Sequence, residues 1–207
     1  RLFQKTMTEL WVATTNRGKF KEIKELLKPA GFDMHGAFEM PNFAAPHEGG
    51  ATFEDNAKIK ARYLHAIKGD AWILSDDSGL EVTALKNLPG VHSARYAGPT
   101  ARDIENTLKV LKAIQLQSNG QDRSAKFRCA VCLISPSGEE HVFSGSLSGT
   151  ISRDMRGTTG FGYDPIFIPE GETKTIAELG LAVKHRLSHR AQAVKAALAY
   201  LMTVVKT

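Results

Sequence analysis

The most constraining stretch of the chain is Ala71 to Ser75, an apolar run that leads directly into Asp76-Asp77-Ser78-Gly79. A run so short and apolar, bounded by turn-forming residues, predicts a buried strand and not a helix. Two adjacent carboxylates at its end repel each other, and burial penalises the charge of each, so a cation or hydrogen-bond donors must offset them. Magnesium is one such cation, because it takes one or two carboxylates together with phosphate oxygens and water. A solvated Asp-rich turn is the competing reading of the same four residues.

The segments around this run alternate between the two periodicities. Leu10 to Thr15 predicts a first strand, and Asn16 caps a helix over about 17–28 with Phe20, Ile23, Leu26 and Leu27 on its apolar face. A second strand is expected over 32–38 and a Pro- and Gly-containing loop over 40–51. Thr52 with Asp55 opens a helix to about Lys68 whose buried face carries Phe53, Ala57, Ala61 and Leu64. Leu80 to Leu85 reads as a further strand. Thr100 with Asp103 predicts a helix with Ile104, Leu108 and Leu111 inward. Residues 125–134 and 140–151 read as strands joined by a turn at Pro136-Ser137-Gly138, residues 163–168 as a strand, and 188–205 as a helix. This order implies an α/β fold with a mixed sheet, antiparallel in its middle section.

The chain has 207 residues, 42% hydrophobic and 24% charged, enough for a packed core without disulfides. No apolar stretch approaches the roughly 20 residues needed to span a bilayer, and the first ten residues lack a signal-peptide core. Arg1 to Thr6 read unlike the start of a natural chain, so Met7 is the expected initiator and 7–207 one domain. Lys and Arg number 27 against 22 Asp and Glu, a net charge of +5. No acidic residue follows Glu178, and Lys184, Arg186, Arg190, Lys195 and Lys206 account for the whole surplus. That placement suggests a local anion site, with a solvated basic helix face as the alternative.

Other segments can carry chemistry. Thr14-Thr15-Asn16-Arg17-Gly18-Lys19 sits at a strand-to-helix junction, where free backbone N–H groups and Lys19 suit phosphate, although the spacing is not that of a Walker loop. A capped helix with a solvated lysine is the commoner reading of such a junction. Asn56 and Lys60 share a helix face beside Ala57 and Ala61, so Lys60 either leans into a cleft or snorkels to solvent. Gly160-Phe161-Gly162-Tyr163-Asp164-Pro165 places glycines around an aromatic ring that could stack on a flat ligand, or forms a structural turn. Lys184, His189 and Arg190 are donors suited to carbonyl oxygens, with Ser188 also readable as a helix cap. Cys129 and Cys132 have a metal-like spacing, but no second pair accompanies them, and on a strand residues three apart face opposite sides. They are expected to be two buried thiols in a reducing, cytoplasmic setting.

Together the segments TTNRGK, FEDNAKIKAR, SDDSGLEV with PGVHSARYAG, GFGYDPIF, and Lys184 ahead of SHRAQA resemble the Ham1/inosine triphosphate pyrophosphatase family, bacterial RdgB type, from about Leu10 to Leu201. The resemblance implies an elongated mixed β-sheet flanked by helices, with two lobes and a nucleotide cleft between them, usually as a homodimer. It implies magnesium-dependent hydrolysis of inosine, deoxyinosine and xanthosine triphosphates to the monophosphate and pyrophosphate, with neither nucleic acid nor membrane as partner.

By residue, the resemblance assigns Thr14, Thr15, Asn16, Arg17, Gly18, Lys19 and Lys60 to the triphosphate. It assigns Glu48, Asp76 and Asp77 to metal, with Asp77 as general base. It gives Ser78 a ligand contact and assigns Phe161, Gly162, Tyr163, Asp164, Lys184, His189 and Arg190 to the base. Thr15 stands where a glycine is frequent, Arg156 lies in a stretch often rich in glycine, and His185 and Arg186 make the region before His189 unusually basic. Two rival readings remain: a Maf-like pyrophosphatase for modified pyrimidine nucleotides, and a non-catalytic nucleic-acid-binding module using the basic tail.

Overall fold

The computed structural model describes residues 8–118 and 120–205; Arg1 to Met7, and with them the expected initiator, lie outside the described residues. The strands are β1 (Glu9–Val12), β2 (Asp33–Gly36), β3 (Trp72–Val82), β4 (Leu88–Pro89), β5 (Ser124–Ile134), β6 (Glu140–Ile151) and β7 (Phe167–Pro169). The helices are α1 (Arg17–Leu27), α2 (Phe53–Lys68), α3 (Asp103–Ser118), α4 (Ile176–Leu179), α5 (Leu181–Leu187) and α6 (His189–Val204). The sheet runs β2-β1-β3-β5-β6-β7, with β4 on β3. β1 is parallel to β2 and β3, whereas β4 runs antiparallel to β3 and β7 antiparallel to β6. The mixed α/β class expected from the sequence is therefore present.

The chain divides into two compact units. Unit 1 comprises residues up to Asp77, Ala130–Ser144 and Ala193 onward; unit 2 comprises Ser78–Cys129 and Gly145–Gln192.

In unit 1, β1 lies between two parallel partners, with Trp11 opposite His35 on β2 and Ile73 on β3. The chain leaves β1 for β2 through α1 and returns past β1 to β3 through α2. Right-handed crossovers then put α1 and α2 on opposite faces of the sheet. Such a reversal of direction leaves an opening beyond the carboxyl end of the central strand, which is where Thr14 to Lys19 follow β1. Asn16 caps α1, its Oδ1 accepting the Lys19 N–H at 3.0 Å, and the Thr52 hydroxyl caps α2 through the Asp55 N–H at 3.1 Å. Leu10, Val12, Ile23, Leu27, Leu64, Ile73 and Leu74 are buried.

In unit 2, Leu80, Val82, Leu85, Val110, Ile114, Phe127, Ile151, Ile166 and Phe167 form the core.

Four expectations need correction. The expected break at Asp76 to Gly79 is absent: β3 continues from Trp72 to Val82, so the two aspartates stand in mid-strand and not at a strand end. Asp76 meets Lys19 and Asp77 meets Lys60, so the turn that would have exposed them is unnecessary. On α3, Ile104 and Leu108 are exposed, and the buried positions are Asn106, Thr107, Val110 and Ile114. The two polar residues are admitted by hydrogen bonds: Asn106 receives the Ala97 N–H at 2.7 Å and donates to the Ala94 carbonyl at 3.1 Å. The expected Thr100 cap also gives way, since α3 begins at Asp103 and the Arg102 N–H donates to Glu105 at 2.7 Å. The strand over 163–168 is a 3-10 turn at Asp164–Ile166 followed by the short β7.

Cys129 and Cys132 lie buried on β5, outside any disulfide. Alternation gives way to continuous burial from Cys129 onward, so both faces there are covered and both thiols lie in core. Burial pushes the Cys132 thiol up to about 12.

The α3 register predicts a contrast. Ile114→Ala should cost about 2–5 kcal/mol, and Ile104→Ala should stay within about 0.5 kcal/mol, as read by denaturant titration. Equal costs would contradict the face assigned to the helix.

Candidate functional site

Unit 1 gathers three acids and two lysines. Asp76 and Asp77 are almost fully buried. Asp76 Oδ2 lies 3.2 Å from Lys19 Nζ, brought by the first turn of α1. Asp77 faces α2: its Oδ1 is 3.3 Å from Lys60 Nζ, and its Oδ2 accepts from Asn56 Nδ2 at 3.2 Å. Lys60 Nζ is also 3.4 Å from Glu48 Oε1, so one ammonium spans the loop acid and the strand acid. The one-turn spacing of Asn56 and Lys60 on α2 lets both reach the same carboxylate.

The sequence places Asn56 on the Lys60 face of α2 but gives it no role in the site. Fully buried, it donates to Asp77 while its Oδ1 accepts the Gly50 N–H at 2.8 Å, tying the Glu48 loop to α2. Gly50 permits this contact, since a Cβ there would stand 2.7 Å from Asn56 Oδ1 and 2.9 Å from its backbone nitrogen. The only advance signal was an asparagine one turn before Lys60.

Of the phosphate-loop candidates, Thr15, Asn16, Arg17 and Gly18 are exposed at the β1–α1 junction. Asn16 spends its carbonyl oxygen on the helix cap, and Thr14 Oγ1 accepts the Asn16 N–H at 3.1 Å. The Arg17 guanidinium lies over the Phe38 ring at 4.4 Å. Lys19 therefore reaches the acids, and the remainder of the loop presents backbone and cap.

The electrostatics follow from this inventory. Counted as ionised, the three acids outnumber the two lysines by one. Burial raises the Asp77 carboxyl above its usual 3.8, with Lys60 and Lys19 pulling it back and Glu48 and Asp76 pushing it further. Burial works against the Lys60 ammonium, but Asp77, Asp76 and Glu48 together hold it above 10.5. Among the described residues no group of three or more His, Cys, Asp and Glu is arranged to hold a metal ion by itself.

Unit 2 builds a different cluster around Phe161. Lys184 Nζ lies 3.9 Å above the ring and Arg190 Cζ 5.5 Å from its centroid, both within cation–π range. Asp164 Oδ2 accepts from Lys184 at 2.7 Å and from the Phe161 N–H at 2.9 Å. Asp164 thus holds the ring and its cation together. Gly160, at φ +84°, makes room for it, since a Cβ there would overlap the Asp164 carboxylate.

Arg190 donates to Ser78 Oγ at 2.8 Å, which brings the two predicted contacts together. His189 stacks on Phe127 at 4.6 Å with an interplanar angle of 9°. The Tyr163 hydroxyl donates to the Ser93 carbonyl at 2.7 Å, and burial holds its pKa above the usual tyrosine value, so it stays protonated. Tyr163 is a structural member of the cluster. Ser188, buried, caps α6 through the Ala191 N–H at 3.1 Å.

Comparison with known proteins places these motifs in a lineage. Residues 10–200 match the model of the Ham1 family. A protein of Bdellovibrio bacteriovorus named dITP/XTP pyrophosphatase is 50% identical over 197 residues, covering 95% of this chain and 98% of that one. A Bacillus subtilis protein of the same name is 43% identical over 91% of this chain and 94% of its own. Among solved structures, a HAM1 protein from Coxiella burnetii aligns with a TM-score of 0.87 at 38% identity, over 96% of this chain and all of that one. The Staphylococcus aureus Ham1 protein gives 0.83 at 37% identity, over 95% and 99%.

The charge balance of unit 1 predicts opposite effects of its two central residues on the ligand-free protein. The raised Asp77 carboxyl means that the native state binds its proton more tightly than the unfolded chain. Its stability contribution therefore falls as pH rises through the range above 3.8. Asp77→Asn should raise Tm at pH 7, and the gain should vanish below that range. Lys60→Met strands the acids and should cost about 3–5 kcal/mol at pH 7. Thermal melts across pH check both signs.

Proposed function

Because the chain belongs to the Ham1 family, we propose that it hydrolyses non-canonical purine nucleoside triphosphates of the dITP and XTP type to the monophosphate and pyrophosphate. The observation that carries the reading is Asp77. It is a buried carboxylate fixed by Asn56 and Lys60, with its proton affinity raised, in a chain of this family.

In this reading Lys19, Lys60 and the N–H groups of the Thr14–Lys19 turn bind the triphosphate. Asp77 takes a proton from a water that attacks the α-phosphorus. The α–β anhydride bond breaks, pyrophosphate leaves with the bonding electrons, and the monophosphate keeps the water oxygen. A carboxyl raised by burial is a better base for this step than an exposed one. Positioning and charge stabilisation supply most of such catalysis.

Magnesium fits the donor set, which is all oxygen and carries one excess negative charge. Glu48, Asp76 and Asp77 would hold it with phosphate oxygens completing its shell, as suits an ion that rarely uses an all-protein cage. When bound it would neutralise charge on the triphosphate and on the leaving pyrophosphate.

In unit 2 Phe161 stacks on the base. Lys184 bonds to Asp164 and Arg190 to Ser78, and each side chain carries more than one N–H donor. With His189 they donate to a 6-oxo group. Adenine offers an amino group there and leaves those donors unpaired, which disfavours it.

The reading includes a homodimer, for which the exposed Ile104 and Leu108 on α3 supply apolar surface. It also includes a cytoplasmic setting, which suits the thiols of Cys129 and Cys132, outside any disulfide. Among the described residues no helix is long and apolar enough to cross a membrane.

Pyrophosphate release measured across a nucleotide panel with magnesium tests the reading. dITP should exceed dATP in kcat/KM by at least about a hundredfold. Asp77→Asn should lower kcat by about 10²- to 10⁴-fold. Release of single phosphates, or full turnover by Asp77→Asn, would overturn it.

A further inference from the structure

Phe161 stands in a chain of glycines, yet its backbone is fixed on both sides. Its own N–H donates to Asp164, as described above. The next residue is held from α3: the Gly162 N–H donates to Asp103 Oδ2 at 2.7 Å, and the Gly162 carbonyl accepts from the Thr107 hydroxyl at 3.4 Å. Asp103 and Thr107 are four apart, so they share one side of the helix and grip both polar groups of a single glycine. Thr107 is fully buried, and Asp103 lies in the first turn. Neither residue does what the sequence pattern suggested. Asp103 is not half of a capping box, and Thr107 replaces the apolar residues expected inward. Both are explained by the loop.

We infer that Asp103 and Thr107 are positioning residues for base recognition, setting the orientation of the Phe161 ring through Gly162. The inference rests on the reading of Phe161 as the stacking platform. Gly162 has φ +63° and Gly160 φ +84°, so the backbone on either side of the ring is free to adopt conformations closed to other residues. Without the α3 grip, the loop loses both hydrogen bonds that hold Gly162, and the ring beside it is fixed less tightly. Its plane then drifts relative to Lys184 and Arg190, whose donors must meet the edge of a base stacked on that ring. Stacking and edge recognition become uncoupled, and it is substrate binding and base selectivity that suffer, not phosphoryl transfer in unit 1. A loss of this kind appears in KM, while kcat is spared.

The experiment is steady-state pyrophosphate release with dITP and dATP on the full-length protein, alongside thermal melts. Asp103→Ala should raise KM for dITP about tenfold, as expected for losing a hydrogen bond to a charged acceptor. Its kcat should stay within about threefold, and the dITP-to-dATP ratio of kcat/KM should fall. Asp103→Asn, which keeps an acceptor oxygen, should restore most of KM. Thr107→Ser, which keeps the hydroxyl, should behave as wild type where Thr107→Val does not. The inference is overturned if Asp103→Ala and Thr107→Val remain folded with KM and selectivity unchanged, or if kcat falls as much as kcat/KM. Phe161→Ala separates this from the underlying reading. If that variant binds dITP as well as wild type, Phe161 is no platform and the base assignment itself fails. If it weakens binding while Asp103→Ala does not, only the positioning role is lost.

Discussion

The constraint around which unit 1 is arranged is the burial of Asp77 beside Lys60. An ionised aspartate in mid-strand, buried on both sides by chain, is among the least favourable placements a sheet can hold. It persists because α2 delivers an ammonium and an amide to its two oxygens, and because the same ammonium draws in Glu48. The geometry of α2 follows from this demand. Thr52 caps it, Phe53, Ala57, Ala61 and Leu64 seat it, and Asn56 and Lys60 occupy the edge of that seated face. The Glu48 loop follows in turn, because Gly50 bonds to Asn56.

Unit 2 solves a related problem with opposite emphasis. There the buried cation is Lys184, and Asp164 is the acid that makes its burial tolerable. The acid also takes the Phe161 N–H, so the cation and the aromatic ring are fixed by one carboxylate. Where unit 1 uses a lysine to organise acids, unit 2 uses an acid to organise cations around a ring.

Much of this was legible in the sequence because it rests on local chemistry. The Asn16 and Thr52 caps, the α2 face and the burial of the two cysteines follow from residue type and period alone. The continuity of β3 was not legible. Asp-Asp-Ser-Gly carries every mark of a turn, and only the lysines of α1 and α2, far away in sequence, make a strand acceptable there. The α3 face was misjudged for the same reason. Asn106 and Thr107 look like surface residues until the Ala94 and Gly162 carbonyls are brought to them. In each case the deciding partner arrives through tertiary structure, and no local pattern announces it.

The surplus of positive charge in the sequence takes on a specific meaning here. Lys184 and Arg190, two of the five basic residues after Glu178, are the cations of the Phe161 cluster, and with Asp164 they leave it one charge positive. The acids and lysines of unit 1 leave that cluster one charge negative. A triphosphate carries about four negative charges, so a site of net negative charge repels it as it stands. When Lys19 and Lys60 turn to the phosphates, Asp76, Asp77 and Glu48 lose the cations that now face them. In the proposed function only an added cation satisfies the acids and the phosphates together.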